Sequence, residues 1–252
     1  MKILLKISRE NVLFLLVAIV LTGAPLFLFI DSPLVASFFN YGQDTCNLIM
    51  FITYSLFLLF AKKKLYWLIL LMTICSLGAE IIGSLLLTLY EYRLNNIPLY
   101  IPMAHAVLYA TVYCLCNHEI VKSKRLILEE FFTRFAFLTS CLSLFILTDI
   151  AGFICYLLFL FILCFRKNQL FYLVMFAMVY YIELLGTVFS TWSWYGVTGK
   201  HPYYPPIGYT PSGMAGLYIL IDLLSNSIYF YHLKLLRFIY RITPQLKLKT
   251  HT

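Results

Sequence analysis

Hydrophobic and polar positions in this chain alternate on the scale of whole helices. Apolar runs close to the ~20 residues that a helix needs to cross a bilayer are separated by short polar or basic segments. We therefore expect an all-α, polytopic membrane bundle that forms a single domain over residues 1–252. The pattern predicts eight spans, at about 11–30, 44–61, 65–90, 98–116, 131–149, 150–166, 169–190 and 212–233.

The first apolar run is preceded by Lys2, Lys6 and Arg9, as the apolar segment of a signal peptide is preceded by basic residues. The run is longer than the apolar part of most signal peptides, and no Ala-x-Ala cleavage motif follows it. We predict that it is a retained first helix.

Composition supports a membrane protein. Hydrophobic residues make up 62% of the chain and charged residues 12%, and the mean hydropathy is +0.86. Soluble domains contain roughly 25% charged residues and 45–50% apolar ones. The net charge of +8 does not indicate a nucleic-acid partner, because the basic residues gather in a few short loops. The expected location is the cell membrane, with the lipid bilayer as the partner.

The segment 135–165 could be one long helix or a hairpin of two shorter helices. A turn near Asp149, Ala151 and Gly152 would place every basic cluster on one side of the membrane, as the positive-inside rule requires. We therefore predict the hairpin, with eight spans and both termini cytoplasmic. The clusters are Lys62–Lys64, Lys122–Arg125, Arg166–Lys167 and the basic residues from Lys234 to Lys249.

Two segments repeat along the chain. Glu-Ile-Ile-Gly-Ser at 80–84 matches Glu-Leu-Leu-Gly-Thr at 183–187, and Pro-x-x-x-Ala-x-Leu-Tyr occurs at 102–109 and again at 211–218. The offsets are 103 and 109 residues, a difference that a change in loop length explains. We predict two parallel four-helix halves related by an axis along the membrane normal, as in some transporters. The halves are residues 1–117 and 118–235, followed by a basic cytoplasmic tail, 236–252.

Three acidic residues, Glu80, Glu183 and Asp222, fall in the interior of predicted spans, away from their ends. An ionised carboxylate at the centre of a membrane helix costs about 2.5–3.5 kcal/mol on insertion scales, so such residues are usually functional. Helical spacing gives each acid polar neighbours on its own face. We predict that the three acids face one another across a polar cavity and are the catalytic residues.

Aromatic and polar residues near the acids are candidates for binding a substrate. Ordinary packing between membrane helices explains small and hydroxylated residues equally well, and tryptophans also anchor helices at the membrane surface. The loop 192–212 contains four prolines, and its length favours a lid or binding loop. The candidate substrate-binding residues are His105, Tyr109, Tyr180, Trp192, Trp194, Tyr218 and Asn226.

Neither metal binding nor a cofactor is predicted. The seven cysteines lie mostly within apolar runs, where a free cysteine behaves as a small hydrophobic residue. A metal-dependent lipid hydrolase that uses His105, His201 and the three acids is an alternative, but no histidine-rich ligand spacing supports it.

The segment Ser76–His105 resembles the integral-membrane carotenoid biosynthesis proteins that act as carotenoid hydratases. The similarity lies in Glu-Ile-Ile-Gly-Ser at 80–84, Tyr-Glu-Tyr at 90–92, Ile-Pro at 97–98 and Ile-Pro-Met at 101–103. His105 stands where that pattern has tryptophan. The resemblance implies a membrane enzyme that acts on a carotenoid or another isoprenoid.

Two functions fit these patterns. In the first, a buried carboxyl that stays protonated for lack of a cationic neighbour protonates a double bond of an isoprenoid or other lipid, leading to hydration, cyclisation or isomerisation. The alternative is a carrier or export component for a lipid or small molecule, with no bond chemistry. A membrane scaffold without a small ligand is a third option.

Overall fold

The computed structural model describes residues 9–249 and is 77% helical. Its helical character confirms the all-α part of the predicted fold class, and one small two-stranded sheet is added to it. In chain order the elements are α1 (Arg9–Ile30), α2 (Pro33–Ala36), α3 (Gly42–Phe60), α4 (Lys63–Glu80), a π-helical turn (Ile81–Leu86), β1 (Tyr90–Tyr92), α5 (Tyr100–Asn117), α6 (Glu119–Ser123), α7 (Arg125–Leu147), α8 (Ile150–Cys164), α9 (Gln169–Val188), β2 (Trp192–Trp194), a 3-10 turn (Thr198–Lys200) and α10 (Met214–Lys249).

The eight long helices lie at the positions where hydropathy predicts spans. Within residues 9–249, five helical segments are long and apolar enough to cross a membrane. Helix α8 is also apolar but has only 15 residues. The five segments are Arg9–Ile30, Gly42–Phe60, Lys63–Leu86, Arg125–Leu147 and Gln169–Val188.

The predicted hairpin within 135–165 is present. Helix α7 ends at Leu147, and Thr148 adopts a left-handed conformation with φ of 55°. Asp149 then caps α8, because its side chain accepts a hydrogen bond from the backbone N–H of Gly152. A capped start directly after a left-handed residue separates the two helices within three residues.

The predicted span 65–90 is wrong at its end. Helix α4 passes into the π-helical turn at Ile81, and regular helix stops at Leu86. Tyr90 belongs to β1, which pairs antiparallel with β2. Hydropathy misses this pairing because the two strands lie about a hundred residues apart in the chain. We call the β1–β2 pair the ribbon.

Helix α5 is central to the bundle. It packs against α1, α3, α4 and α9, while α10 packs against α4, α8 and α9. Fully buried side chains on α4, α5 and α9 fill the interior, among them Leu68, Val112 and Phe176. The outside is also apolar: Phe145 and Leu126, for example, are 81% and 80% exposed. Such a surface suits contact with hydrocarbon better than contact with water.

The charged ends of the chain lie partly outside the described residues. Lys2 and Lys6, which the retained first helix was predicted to follow, are not described. Of the predicted tail 236–252, residues 236–249 continue α10 and residues 250–252 are not described.

Candidate functional site

Glu80 lies at the end of α4 and is 4% exposed. Its Oε2 accepts hydrogen bonds from the hydroxyls of Tyr90, at 2.6 Å, and Tyr92, at 2.5 Å. Its Oε1 lies 3.0 Å from Nε2 of His105 on α5. Three donors therefore converge on the two oxygens, an arrangement that stabilises an ionised carboxylate.

Glu183 lies on α9, five residues before the end of that helix, and is 7% exposed. Its Oε2 accepts hydrogen bonds from both indole N–H groups of the ribbon, Trp192 at 2.9 Å and Trp194 at 3.2 Å. Among the side chains that the structure describes, none donates a hydrogen bond to its Oε1. Glu183 therefore has one oxygen that can carry a proton without losing a protein partner.

The ribbon supplies all four aromatic donors. Side chains at alternate positions of a strand point to the same face, so Tyr90 and Tyr92 both reach Glu80, and Trp192 and Trp194 both reach Glu183. The register places Tyr90 opposite Trp194 and Tyr92 opposite Trp192. One face of a six-residue sheet thus covers both acids.

A glycine three residues after each acid makes room for the ribbon. A Cβ on Gly186 would lie 2.0 Å from Cζ2 of Trp192, and a Cβ on Gly83 would lie 3.0 Å from the hydroxyl of Tyr90. The neighbours of these glycines are the aromatic rings that bind the acids.

Two further elements of the site come from α5 and α10. The rings of His105 and Tyr218 stack with centroids 4.7 Å apart, and the Tyr218 hydroxyl lies 3.2 Å from Nε2 of His105. Nδ1 of His105 is buried and has no hydrogen-bond partner in the described part of the chain. A histidine that donates from Nε2 to Glu80 keeps a free lone pair on Nδ1.

Both acids line one cavity of about 270 Å³. Its wall is built from α1, α3, α4, α5, α9, α10 and the ribbon, and it is mostly apolar and aromatic. Within the described residues, no lysine or arginine lines it. The cavity is thus an apolar chamber whose ionisable side chains are Glu80, Glu183, His105 and the tyrosines Tyr90, Tyr92, Tyr100 and Tyr218.

The structure divides the predicted site residues into two groups. Glu80, Glu183, His105, Trp192, Trp194 and Tyr218 line the cavity, whereas Asp222, Tyr109, Tyr180 and Asn226 do not.

In the second group, Asp222 is 1% exposed and lies one helical turn beyond Tyr218 on α10. Its Oδ1 accepts a hydrogen bond from Asn226 at 2.7 Å. Tyr180 packs edge-on against Phe135. Two of the three predicted catalytic acids therefore share the chamber.

Sequence reasoning missed Tyr90 and Tyr92 as site residues. Burial, and after it the negative charge of Glu80, raise the pKa of both tyrosines above the ordinary value, so both remain protonated donors at neutral pH. A signal existed in the sequence. Tyr-x-Tyr and Trp-x-Trp follow their respective glutamates by ten and nine residues, with the period-two spacing of a strand.

Two buried aspartates hold the loops around the site. Asp31, just after α1, forms an ion pair with Arg93 at 2.5 Å and accepts a hydrogen bond from the Tyr100 hydroxyl at 2.8 Å. Asp149, just after α7, accepts backbone hydrogen bonds from Gly208 at 3.1 Å and Ser212 at 3.0 Å. Each aspartate thereby ties the end of a long helix to the segment that leads into α5 or α10.

A metal-binding cluster does not appear among residues 9–249: no three histidine, cysteine, aspartate or glutamate side chains come together as ligands would. Comparison with known proteins gave no match, whether to protein-family models, to curated proteins or to solved structures.

Proposed function

We propose that this chain is a membrane-embedded enzyme that protonates a carbon–carbon double bond of an isoprenoid or another lipid. One observation carries the proposal: two buried carboxyls with unequal hydrogen bonding lie in one apolar, aromatic chamber. A carboxyl in apolar surroundings can act as a general acid at neutral pH. An apolar chamber also suits a hydrocarbon substrate.

In this proposal Glu183 is the acid. Its proton leaves the oxygen that has no protein donor and bonds to one alkene carbon, and the other alkene carbon becomes a carbocation. The indole hydrogen bonds of Trp192 and Trp194 stabilise the carboxylate that remains. The faces of the aromatic rings around the chamber stabilise the positive charge.

Glu80 and His105 act on the carbocation. The ionised Glu80 stabilises the positive charge at short range, and Nδ1 of His105 can accept a proton when the cation is quenched. Attack by water completes a hydration, with the water's extra proton passing to the base. Attack by a second double bond followed by loss of a proton completes a cyclisation, and direct proton loss completes an isomerisation.

The membrane arrangement is part of the proposal. We propose that all eight long helices cross the bilayer, with both termini cytoplasmic and the ribbon on the opposite side from the basic clusters. The positions of the helices and the placement of the basic residues in the connections following α3, α5 and α8 support this topology.

We also propose that the chain consists of two parallel repeats. The register of the ribbon supports this: Glu91 pairs with Ser193, and these residues correspond at an offset of 102. Two strands related by a two-fold axis pair antiparallel around the position where equivalent residues meet. The matching positions of Glu80 and Glu183, each with two ribbon donors, agree with the same axis.

The resemblance of residues 76–105 to carotenoid hydratases supports an isoprenoid substrate. In the structure the three most distinctive residues of that segment, Glu80, Tyr90 and Tyr92, form one hydrogen-bonded unit. We therefore favour a hydratase- or cyclase-like reaction, in which Glu80, Tyr90 and Tyr92 all take part.

The test is the lipid and pigment profile, by mass spectrometry, of cells that express the intact protein, the variant Glu183→Gln or the control Glu91→Gln. Glu91 lies on β1 as well but is exposed. We expect a product 18 mass units heavier than its precursor for hydration, or of unchanged mass for cyclisation or isomerisation. It should appear with the intact protein and the control but not with Glu183→Gln. Identical profiles with and without the intact protein would favour the carrier alternative.

A further inference from the structure

The chamber is not closed on all sides. Of the residues that line it, Ile19 on α1 and Ile49 on α3 are the most exposed, at 50% and 39%. Gly23 and Thr53, one turn further along the same helices, also line it and are partly exposed. Residues four apart lie on one face of a helix. The two exposed stripes therefore mark one opening, between α1 and α3, which we call the lateral mouth.

The mouth opens through the apolar side of the bundle. Helices α1 and α3 are both long and apolar enough to span a membrane. Their outward residues are also apolar: Leu15 and Leu48, for example, are both 60% exposed. In a bilayer such a mouth would face hydrocarbon, and water would reach it poorly.

Gly23 leaves the mouth wide. A Cβ built on Gly23 would have no atom within 4 Å, so the space beside it is empty. Glycine in the middle of a helix costs about 0.5–1 kcal/mol relative to alanine. Close packing against another helix therefore does not explain the glycine. The absence of a side chain at this position keeps the passage open.

Helix α1 is also weakened beside the mouth. Pro25 has no backbone N–H, so the carbonyl of Leu21 loses its usual partner within the helix. The hydroxyl of Tyr181 on α9 takes that carbonyl instead, at 3.4 Å. The series of backbone hydrogen bonds in α1 is therefore interrupted within one turn of Gly23.

We infer that a hydrocarbon chain enters the chamber sideways from the bilayer through the lateral mouth, and that Gly23 sets the width of the passage. Ligand sites for drug-sized molecules measure roughly 300–1,000 Å³, so a chamber of about 270 Å³ holds only a segment of a long lipid. The rest of the chain extends through the mouth into the membrane. This inference rests on the proposed function, because it places the bundle in a bilayer and assigns it an apolar substrate.

The test uses the chamber's own tryptophans. Trp192 and Trp194 line the chamber. Trp67, on α4, is 46% exposed and does not line it, so all proteins in the test carry Trp67→Phe to remove its fluorescence. The full chain is placed in phosphatidylcholine nanodiscs, and 1-bromododecane, whose bromine quenches indole fluorescence on contact, is added. We expect quenching that saturates, because the probe occupies a site of fixed size.

Gly23→Phe should weaken the saturable quenching by at least about tenfold, and Gly23→Val should weaken it less. Gly78→Phe is the matched control. Gly78 also lies in a helix with no atom within 4 Å of a built Cβ, but it does not line the chamber. Gly23→Val, with its smaller side chain, still tests the passage if the phenylalanine variant fails to fold.

Equal saturable quenching in Gly23→Phe, Gly78→Phe and the parent would overturn the mouth, as would strictly linear quenching in all three. The readout is binding and requires no turnover. Weakened quenching in Gly23→Phe, together with identical lipid profiles of cells with and without the intact protein, would refute the acid chemistry alone. Lost turnover in Glu183→Gln with unaltered quenching in Gly23→Phe would refute the mouth alone.

Discussion

Glu80 and Glu183 have similar neighbours in the sequence but different chemical surroundings. Each is a buried glutamate followed three residues later by a glycine, and each receives two hydrogen bonds from one strand of the ribbon. Glu80 is bound by two hydroxyls and has His105 on its other oxygen. Glu183 is bound by two indoles through a single oxygen.

Under the proposed function, this difference prepares two carboxyls in one architecture for opposite roles. Three donors around Glu80 favour the charged form, whereas an uncontacted oxygen on Glu183 leaves a place for a proton. Pairs of titratable groups held in contrasting environments are the usual arrangement for an acid and its partner. The ribbon sets the contrast, because it presents tyrosines to one acid and tryptophans to the other.

We expect the largest effects when the carboxyl of each glutamate is replaced by an amide. Glu183→Gln should reduce turnover by about 10²–10⁴-fold, the usual contribution of a general acid. Its unfolding free energy should change little, because the glutamine carbonyl can still accept from both indoles. Product formation by mass spectrometry and thermal unfolding in detergent measure the two quantities.

Glu80→Gln should affect the unfolding free energy more strongly than Glu183→Gln does. The amide places N–H donors against His105 or the tyrosine hydroxyls, so at least one buried group loses its partner, at a cost of about 1–3 kcal/mol. Thermal unfolding should therefore show a larger loss of stability than in Glu183→Gln. If the two variants lost equal stability and equal activity, the two acids would not have distinct roles.

The glycines provide a structural test of the same contrast. Gly186→Ala places a Cβ 2.0 Å from the Trp192 ring, which must move, whereas Gly83→Ala meets the Tyr90 hydroxyl at 3.0 Å. Overpacking of a buried site costs typically about 1–3 kcal/mol. We expect Gly186→Ala to approach the upper end in unfolding free energy and Gly83→Ala to remain near or below the lower end. A larger loss for Gly83→Ala would contradict the geometry.

The smallest effect concerns pH. The raised pKa of Tyr92 means that the folded state keeps a proton that the unfolded state releases near pH 10. The unfolded state then binds fewer protons, so stability falls as pH rises above about 10. Tyr92→Phe should make that fall shallower by about 1.4 kcal/mol per pH unit. Unfolding midpoints measured between pH 8 and 11 test this, and parallel curves above pH 10 would contradict it.

Much of the fold could be predicted from hydropathy and charge. The eight long helices follow the apolar runs, and the break at Thr148–Asp149 follows from where the basic clusters must lie. The ribbon could not be predicted in this way. Its strands are three residues long and pair across about a hundred residues, and neither hydropathy nor helical periodicity carries that information.

The site could be predicted in part. The free-energy cost of burying a carboxylate was enough to single out Glu80, Glu183 and Asp222, because acids within apolar membrane helices are usually functional. Which acids meet also depends on how far along its helix each one lies. Asp222 is one turn beyond Tyr218 on α10, where it bonds to Asn226 outside the chamber. The donors to Glu80 were missed because Tyr90 was assigned to the end of a helix.

The central claim is that a proton from this chamber is added to a carbon–carbon double bond. The most direct measurement is turnover of the precursor lipid in D₂O, with the product analysed by mass spectrometry after exchangeable deuterium has been washed out. We predict one deuterium bound to carbon per product molecule with the intact protein and no product with Glu183→Gln. A product without carbon-bound deuterium would contradict protonation by Glu183.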